Sequence, residues 1–170
     1  MIWFWVGMAS GTTLVAEWDF ESGSEGFTAS GIPELWECGE VLSGPGQGSS
    51  GISACGTGLS SNYGNNSESF LEFPDLSLSG LITPMLRWEN WYAFESGDFG
   101  LLEVFDGNSW QPAAPVYGYP NGVSFQGQDQ EWHTQLLELS GVTNLNALRL
   151  RLSSDTSVTD DGWFIDSVTL

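Results

Sequence analysis

The sequence sets carboxylates where they could hold a cation. Trp163-Phe164-Ile165-Asp166-Ser167-Val168 places one aspartate inside an otherwise apolar run. An ionised carboxylate in such a run is costly unless something compensates it. A bound metal is the simplest compensation. The alternatives are a side chain that points outward or one that accepts backbone N–H bonds. A second group, Asp155, Asp160 and Asp161, crowds the approach to Gly162, and Asp98 in Gly97-Asp98-Phe99-Gly100 could join it. The ion suited to these groups is calcium, which takes about 6–8 oxygen ligands from carboxylates, carbonyls and water. The second group lacks the alternating spacing of an EF-hand loop, and a solvated acidic turn explains it equally well.

Other chemistries find little support. The single histidine, His133, lies in Glu131-Trp132-His133-Thr134. No Gly-x-Ser-x-Gly leads from a strand into a helix, and Gly48-Ser49-Ser50-Gly51 lacks that spacing. No motif selects a carboxylate pair for glycoside hydrolysis. The glycine-rich segments have no lysine for a phosphate loop. The chain reads as a binding protein and not as an enzyme.

Charge narrows the partners. There are 22 acidic residues against Arg87, Arg149 and Arg151, with a formal net charge of −19. Such a field repels nucleic acid and anionic membrane faces, attracts divalent cations and suits a saline medium. No nucleic-acid partner and no membrane insertion of the folded domain is expected. The nine tryptophans and four tyrosines point elsewhere. Flat aromatics with a polar edge suit sugar faces. Trp110, Tyr117, Tyr119 and Trp132 flank the longest irregular stretch, residues 112–130, and are the candidates for ligand contact. Trp18, Trp36, Trp88 and Trp163 sit in strand-like positions and read as core.

The elements that must position these groups are strands. The 170 residues suit one domain, and 41% apolar content argues against disorder. With 22 glycines and seven prolines, the chain is cut into short pieces by turns. Residues 85–92 put Leu86, Trp88 and Tyr92 on one parity and Arg87 and Glu89 on the other. Asp106-Gly107 is the strongest hairpin turn. Leu148-Arg149-Leu150-Arg151-Leu152 alternates cleanly, leucines inward. Roughly nine strands at this spacing predict an all-β sandwich or barrel. Residues 1–16 are set apart as a signal-like apolar segment or an extra N-terminal strand. Residues 17–170 form the single domain. Cys38 and Cys55 are 17 residues apart in Gly/Ser-rich sequence. Paired, they close a short loop and require an oxidising compartment; unpaired, they are two buried thiols.

Several motifs occur in a telling order. Phe20-Glu21-Ser22-Gly23 precedes Gly26-Phe27, then come Leu35-Trp36-Glu37-Cys38-Gly39, Cys55-Gly56-Thr57-Gly58-Leu59 and Asn62-Tyr63. The chain closes on Ser153-Ser154-Asp155 and Val158-Thr159-Asp160-Asp161-Gly162-Trp163-Phe164-Ile165-Asp166-Ser167-Val168. Over residues 17–170 this resembles the MAM-like, galactose-binding-like jelly-roll module attached to immune inhibitor A-type metallopeptidases and to bacterial surface proteins. The resemblance implies a jelly-roll sandwich of two antiparallel sheets, secreted or displayed at the cell surface. It implies a structural calcium between the first and last strands, with Glu21 and Asp166 as carboxylate ligands; Asp19, Asp155, Asp160 and Asp161 complete the candidate set. Cys38 stands where tryptophan is usual and suggests a disulfide particular to this chain. Ser167 stands where a second aspartate is usual and thins the metal site. The peptidase helix itself is absent. The expected role is adhesion or accessory binding to an extracellular protein or glycan. The alternatives are a carbohydrate-binding module and a spacer of a larger secreted hydrolase.

Overall fold

The computed structural model describes residues 12–140 and 147–170, so most of the apolar N-terminal segment lies outside it. Eleven strands follow in order: β1 (Glu17–Trp18), β2 (Thr28–Ile32), β3 (Glu37–Glu40), β4 (Ser53–Gly56), β5 (Glu68–Glu72), β6 (Met85–Ala93), β7 (Phe99–Phe105), β8 (Trp110–Ala113), β9 (Gln128–Glu138), β10 (Ala147–Ser153) and β11 (Gly162–Thr169). They make two antiparallel sheets. One has the order β3-β4-β11-β6-β9, with β1 also paired to β11; the other has the order β2-β5-β10-β7-β8. The expected all-β sandwich is what forms.

Alternation explains the second sheet. Leu148, Leu150 and Leu152 of β10 are buried in the core, while Arg149 and Arg151 face away. Arg149 donates to Glu103 at 2.7 Å, and its guanidinium lies between the rings of Phe70 and Trp110, 4.0 and 3.9 Å from their centroids. The first sheet follows a different rule. Trp163, Ile165 and Val168 of β11 enter the main core with Trp88 and Tyr92 of β6. Phe164 and Trp91, on the other face of the same strands, pack into a second cluster with Val41, Ala54 and Leu59. Where the strap covers the second face, both sides are buried, so β11 starts as an apolar run and β6 turns apolar at Trp91–Ala93.

A strap, residues 41–52, provides that second cover. Val41 N–H donates to Ile52 O, and Leu42 and Ser43 N–H both donate to Leu59 O. At Gly44, with φ of 51°, an added Cβ would come within 2.7 Å of the Phe164 ring and 3.2 Å of Trp91. Only glycine allows this turn to lie so close to the sheet. Deep in the core, Asn90 Oδ1 accepts from the indoles of Trp88 and Trp163 at 3.2 and 2.7 Å, so a buried amide is satisfied by tryptophan edges. Cys38 and Cys55 are bonded to each other and are register partners between β3 and β4.

Glu17 to Glu21 alternates in polarity, yet only Glu17–Trp18 pairs, and the small residues of β4 carry no alternation at all. The stretch 112–130 is shorter than expected, because β8 takes its start and β9 its end. Val15 and Ala16, set apart with the N-terminal segment, hydrogen-bond to Leu170.

Candidate functional site

β11 shares one edge between two strands. Phe164 and Ile165 pair with β4, whereas Val168 and Thr169 pair with β1. Asp166 and Ser167 fall in the gap, where the ladder with β6 is also interrupted and Ser167 takes a φ of 50°. The chain leaving β1 and the chain entering β4 meet there. Asp166 is fully buried. Its Oδ2 accepts from Ser50 N–H at 2.7 Å and its Oδ1 from Ser167 N–H at 2.5 Å. Glu21 reaches the same strap from the other side, and its Oε1 accepts from Ile52 and Ser53 N–H at 2.9 and 2.8 Å. Asp19 braces the turn by accepting from Glu21 N–H, and Glu25 accepts from Asp19 and Phe20 N–H.

The structure therefore brings Glu21 and Asp166 onto one strap. Backbone N–H groups supply the compensation that the apolar run around Asp166 demands. They do not cancel its burial, which pushes the Asp166 carboxyl above its usual range. Carbonyls also gather here. A Cβ on Gly48 would lie 2.3 Å from Ser53 O, 2.6 Å from Ser50 O and 3.1 Å from Asp166 Oδ2.

The second acidic group is dispersed. Asp98 is buried, accepts from Tyr63 Oη–H at 2.5 Å and from Asp155 N–H at 2.7 Å. Burial and the Asp98 carboxylate hold the Tyr63 phenol well above its ordinary pKa. Asp155 accepts from Ser157, and Asp160 from Asp161 N–H and the Gln128 amide. These acids pin loops to one another. Among the described residues, no three or more His, Cys, Asp or Glu side chains are gathered to hold a metal.

The four aromatic candidates do not meet. Trp110 lies on β8 under Arg149. Tyr117 is largely exposed. Tyr119 is buried, donates to Ala113 O at 2.6 Å and accepts from Leu102 N–H at 2.9 Å, so it is a core anchor and not an exposed platform. Burial pushes its phenol up to about 12. Trp132 lies on β9 in the other sheet, beside a cleft of about 300 Å³ lined by Gly44, Pro45, Trp91, Gln130 and Glu131. His133 is half exposed and pairs with Asp129 at 3.2 Å.

No family model matches the chain. Bacillopeptidase F of Bacillus subtilis is 31% identical over 156 residues, a match that takes in 89% of this chain and 10% of that protein. The chain thus spans about a tenth of the length of that relative. Among solved structures, the K1 cleaved adhesin domain of Lys-gingipain from Porphyromonas gingivalis superposes with a TM-score of 0.56 at 15% identity, covering 93% of this chain and 97% of that one. A xylan-binding domain of CBM 22 gives a TM-score of 0.51 at 11% identity, covering 92% of each. At these identities the likeness is one of fold. The chain is a β-sandwich module built like an adhesin domain and a carbohydrate-binding domain.

Proposed function

We propose that this chain is a non-catalytic extracellular binding module, working within or beside a larger secreted protein. The observation that carries the reading is the shared two-sheet sandwich, which covers more than nine-tenths of the chain in both an adhesin domain and a xylan-binding domain. The Cys38–Cys55 bond adds support, because such bonds persist in oxidising compartments. Similarity to a segment of a peptidase supports an accessory role next to a catalytic domain.

Calcium belongs to this reading as a fastener. Glu21 and Asp166, which both reach the strap, and the Ser50 and Ser53 carbonyls near Asp166 would offer calcium the oxygen-only donors that it prefers. Asp19 stands two residues from Glu21 and could join them. The ion would supply the positive charge that a buried Asp166 lacks. Asp160 ties its loop to Gln128, and Asp155 closes its own turn on Ser157.

The favoured partner is a glycan or a glycan-bearing surface, since the sandwich is also that of a xylan-binding domain and a tryptophan-lined cleft is present. The test is binding of the purified chain to two immobilised panels, one of polysaccharides and one of extracellular proteins. Saturable retention on either supports a binding module. Retention on neither overturns it.

A further inference from the structure

The strap buries little of itself. Of the large apolar side chains in residues 41–52, Val41 is buried, whereas Leu42 and Ile52 are 67% and 56% exposed. Val41 belongs to the second cluster, so the main core with Trp88, Trp163 and the β10 leucines takes nothing from the strap. The other ties are hydrogen bonds, from Leu42 and Ser43 to Leu59 O, from Ser50 to Asp166 and from Ile52 to Glu21. Water replaces such partners wherever a segment lifts into solvent. Residues 37–53 carry no lysine or arginine to pair with the acidic body. What closes the segment is covalent. Cys38 and Cys55 stand just outside it, face each other across β3 and β4, and are joined. The ring they close contains the whole strap. β3 is an outermost strand of only four residues, so its ladder adds little at that edge.

We propose that the Cys38–Cys55 bond is a redox latch: thiol exchange at Cys38 releases the strap while the sandwich behind it stays folded. Cys38 is the point of attack, because it is partly exposed on the edge strand and Cys55 is fully buried. One thiolate of a dithiol reductant bonds to Cys38 Sγ; the S–S bond breaks, and its electron pair goes to Cys55, which takes up a proton. The second thiolate then displaces Cys38, which is protonated in turn, and the dithiol leaves as its cyclic disulfide. Two electrons and two protons pass from the dithiol to the cysteines, and no other reagent is needed. Release uncovers Phe164 and Trp91 beneath Gly44 and takes the Ser50 and Ile52 N–H groups off Asp166 and Glu21. β4, buried along its length and paired to β11, stays in place. The junction of Glu21 and Asp166 is thereby completed only where thiols are oxidised. The inference goes beyond the binding-module reading and does not draw on calcium.

The test is amide hydrogen exchange read by mass spectrometry on the full chain, in chelator, either oxidised or held reduced by dithiothreitol. In the reduced chain the strap amides, Ser50 and Ile52 among them, should exchange about a hundredfold faster, the loop-closure effect expected for a ring of this size. β10 should remain at least about tenfold better protected than the strap, since the strap then opens without the core. Removing the reductant and reoxidising should restore the slow exchange. The double variant Cys38→Ser with Cys55→Ala should match the reduced chain without any reductant; where it fails to fold, the reduced parent decides. Strap exchange that is unchanged by reduction sinks the latch. A reduced chain in which strap and β10 exchange at one common rate, or which loses its β-sheet circular dichroism, makes the bond a staple of the whole domain and overturns the proposal as well. Retention of the oxidised chain on glycan or protein panels is unaffected by any of these results, so the module reading is judged separately.

Discussion

Replacing Asp166 separates its role as an acceptor for the strap from its proposed role as a ligand for calcium. Asp166→Ala strips the acceptors from Ser50 and Ser167 N–H. Each donor left without its acceptor costs up to about 1–3 kcal/mol, less at exposed Ser50 where water can take over, and the loss is partly offset because a buried charge is removed. The expected net loss in chelator is about 1–4 kcal/mol, a large share of a total near 5–15 kcal/mol. Asp166→Asn keeps the shape and one oxygen, and should lose about 1–3 kcal/mol. Calcium gives the second signal. Extracellular calcium modules have Kd values of about 0.1–1 mM, so roughly 10 mM calcium should stabilise the native state by about 1.4–2.7 kcal/mol. For a domain of this size that is a rise in Tm of about 3–11 °C. Thermal melts by circular dichroism in calcium and in chelator measure it. The parent should show the rise, Asp166→Ala should lose it, and Asp166→Asn, which keeps one neutral oxygen, should show a smaller one. Identical parent melts in the two conditions would remove calcium from the account. A rise retained in Asp166→Ala would show that Asp166 is not the ligand.

Three further outcomes follow from the packing and charge. Tyr119→Phe strands the Leu102 N–H inside the core and should lower unfolding free energy by about 1–3 kcal/mol in a urea titration; an unchanged midpoint would refute the anchoring role. Arg151 holds the Glu68 carboxyl below its usual range, so this pair contributes stability above the ordinary glutamate pKa, lost as pH falls through the lowered value. Glu68→Gln should therefore flatten that part of the acid limb of a pH–Tm curve, and a limb as steep as the parent's counts against the pair. Reducing Cys38–Cys55, or replacing both with serine, should cost about 3 kcal/mol for a loop of this length. Equal stability with and without reductant would remove the bond from the stability account.

The fold was legible where one face of a strand is buried and the other is wet. Leu148, Leu150 and Leu152 announce β10 because their arginine neighbours face outward. β4 was hidden for the opposite reason: all four residues of Ser-Ala-Cys-Gly are buried, so neither polarity nor bulk marks it. Asp166 stood out because a carboxylate in an apolar run needs an explanation. What satisfies it, a strap over a hundred residues earlier in the chain, is tertiary and leaves no local pattern. Among the aromatic candidates, Tyr119 differs from the expectation in depth. Tyr119 lies in polar, proline-bearing sequence yet folds inward, since its hydroxyl meets a backbone donor and a carbonyl. Trp91 gave no site signal, because only the strap and the β9 bulge make a cleft at its edge.

The short pairing of β1 with the end of β11 has a mechanical meaning. Residues 15–18 run antiparallel to 168–170, so the two ends of the domain leave at one point and in nearly one direction. Tension on a longer chain carrying this module would open that pairing like a fork, one hydrogen bond at a time, and would not shear it. A fork of so few pairs yields early. It then reaches Glu21 and Asp166, where both released strands are tied to the strap. That knot sits at the tip of the fork and guards the sandwich behind it from the pull.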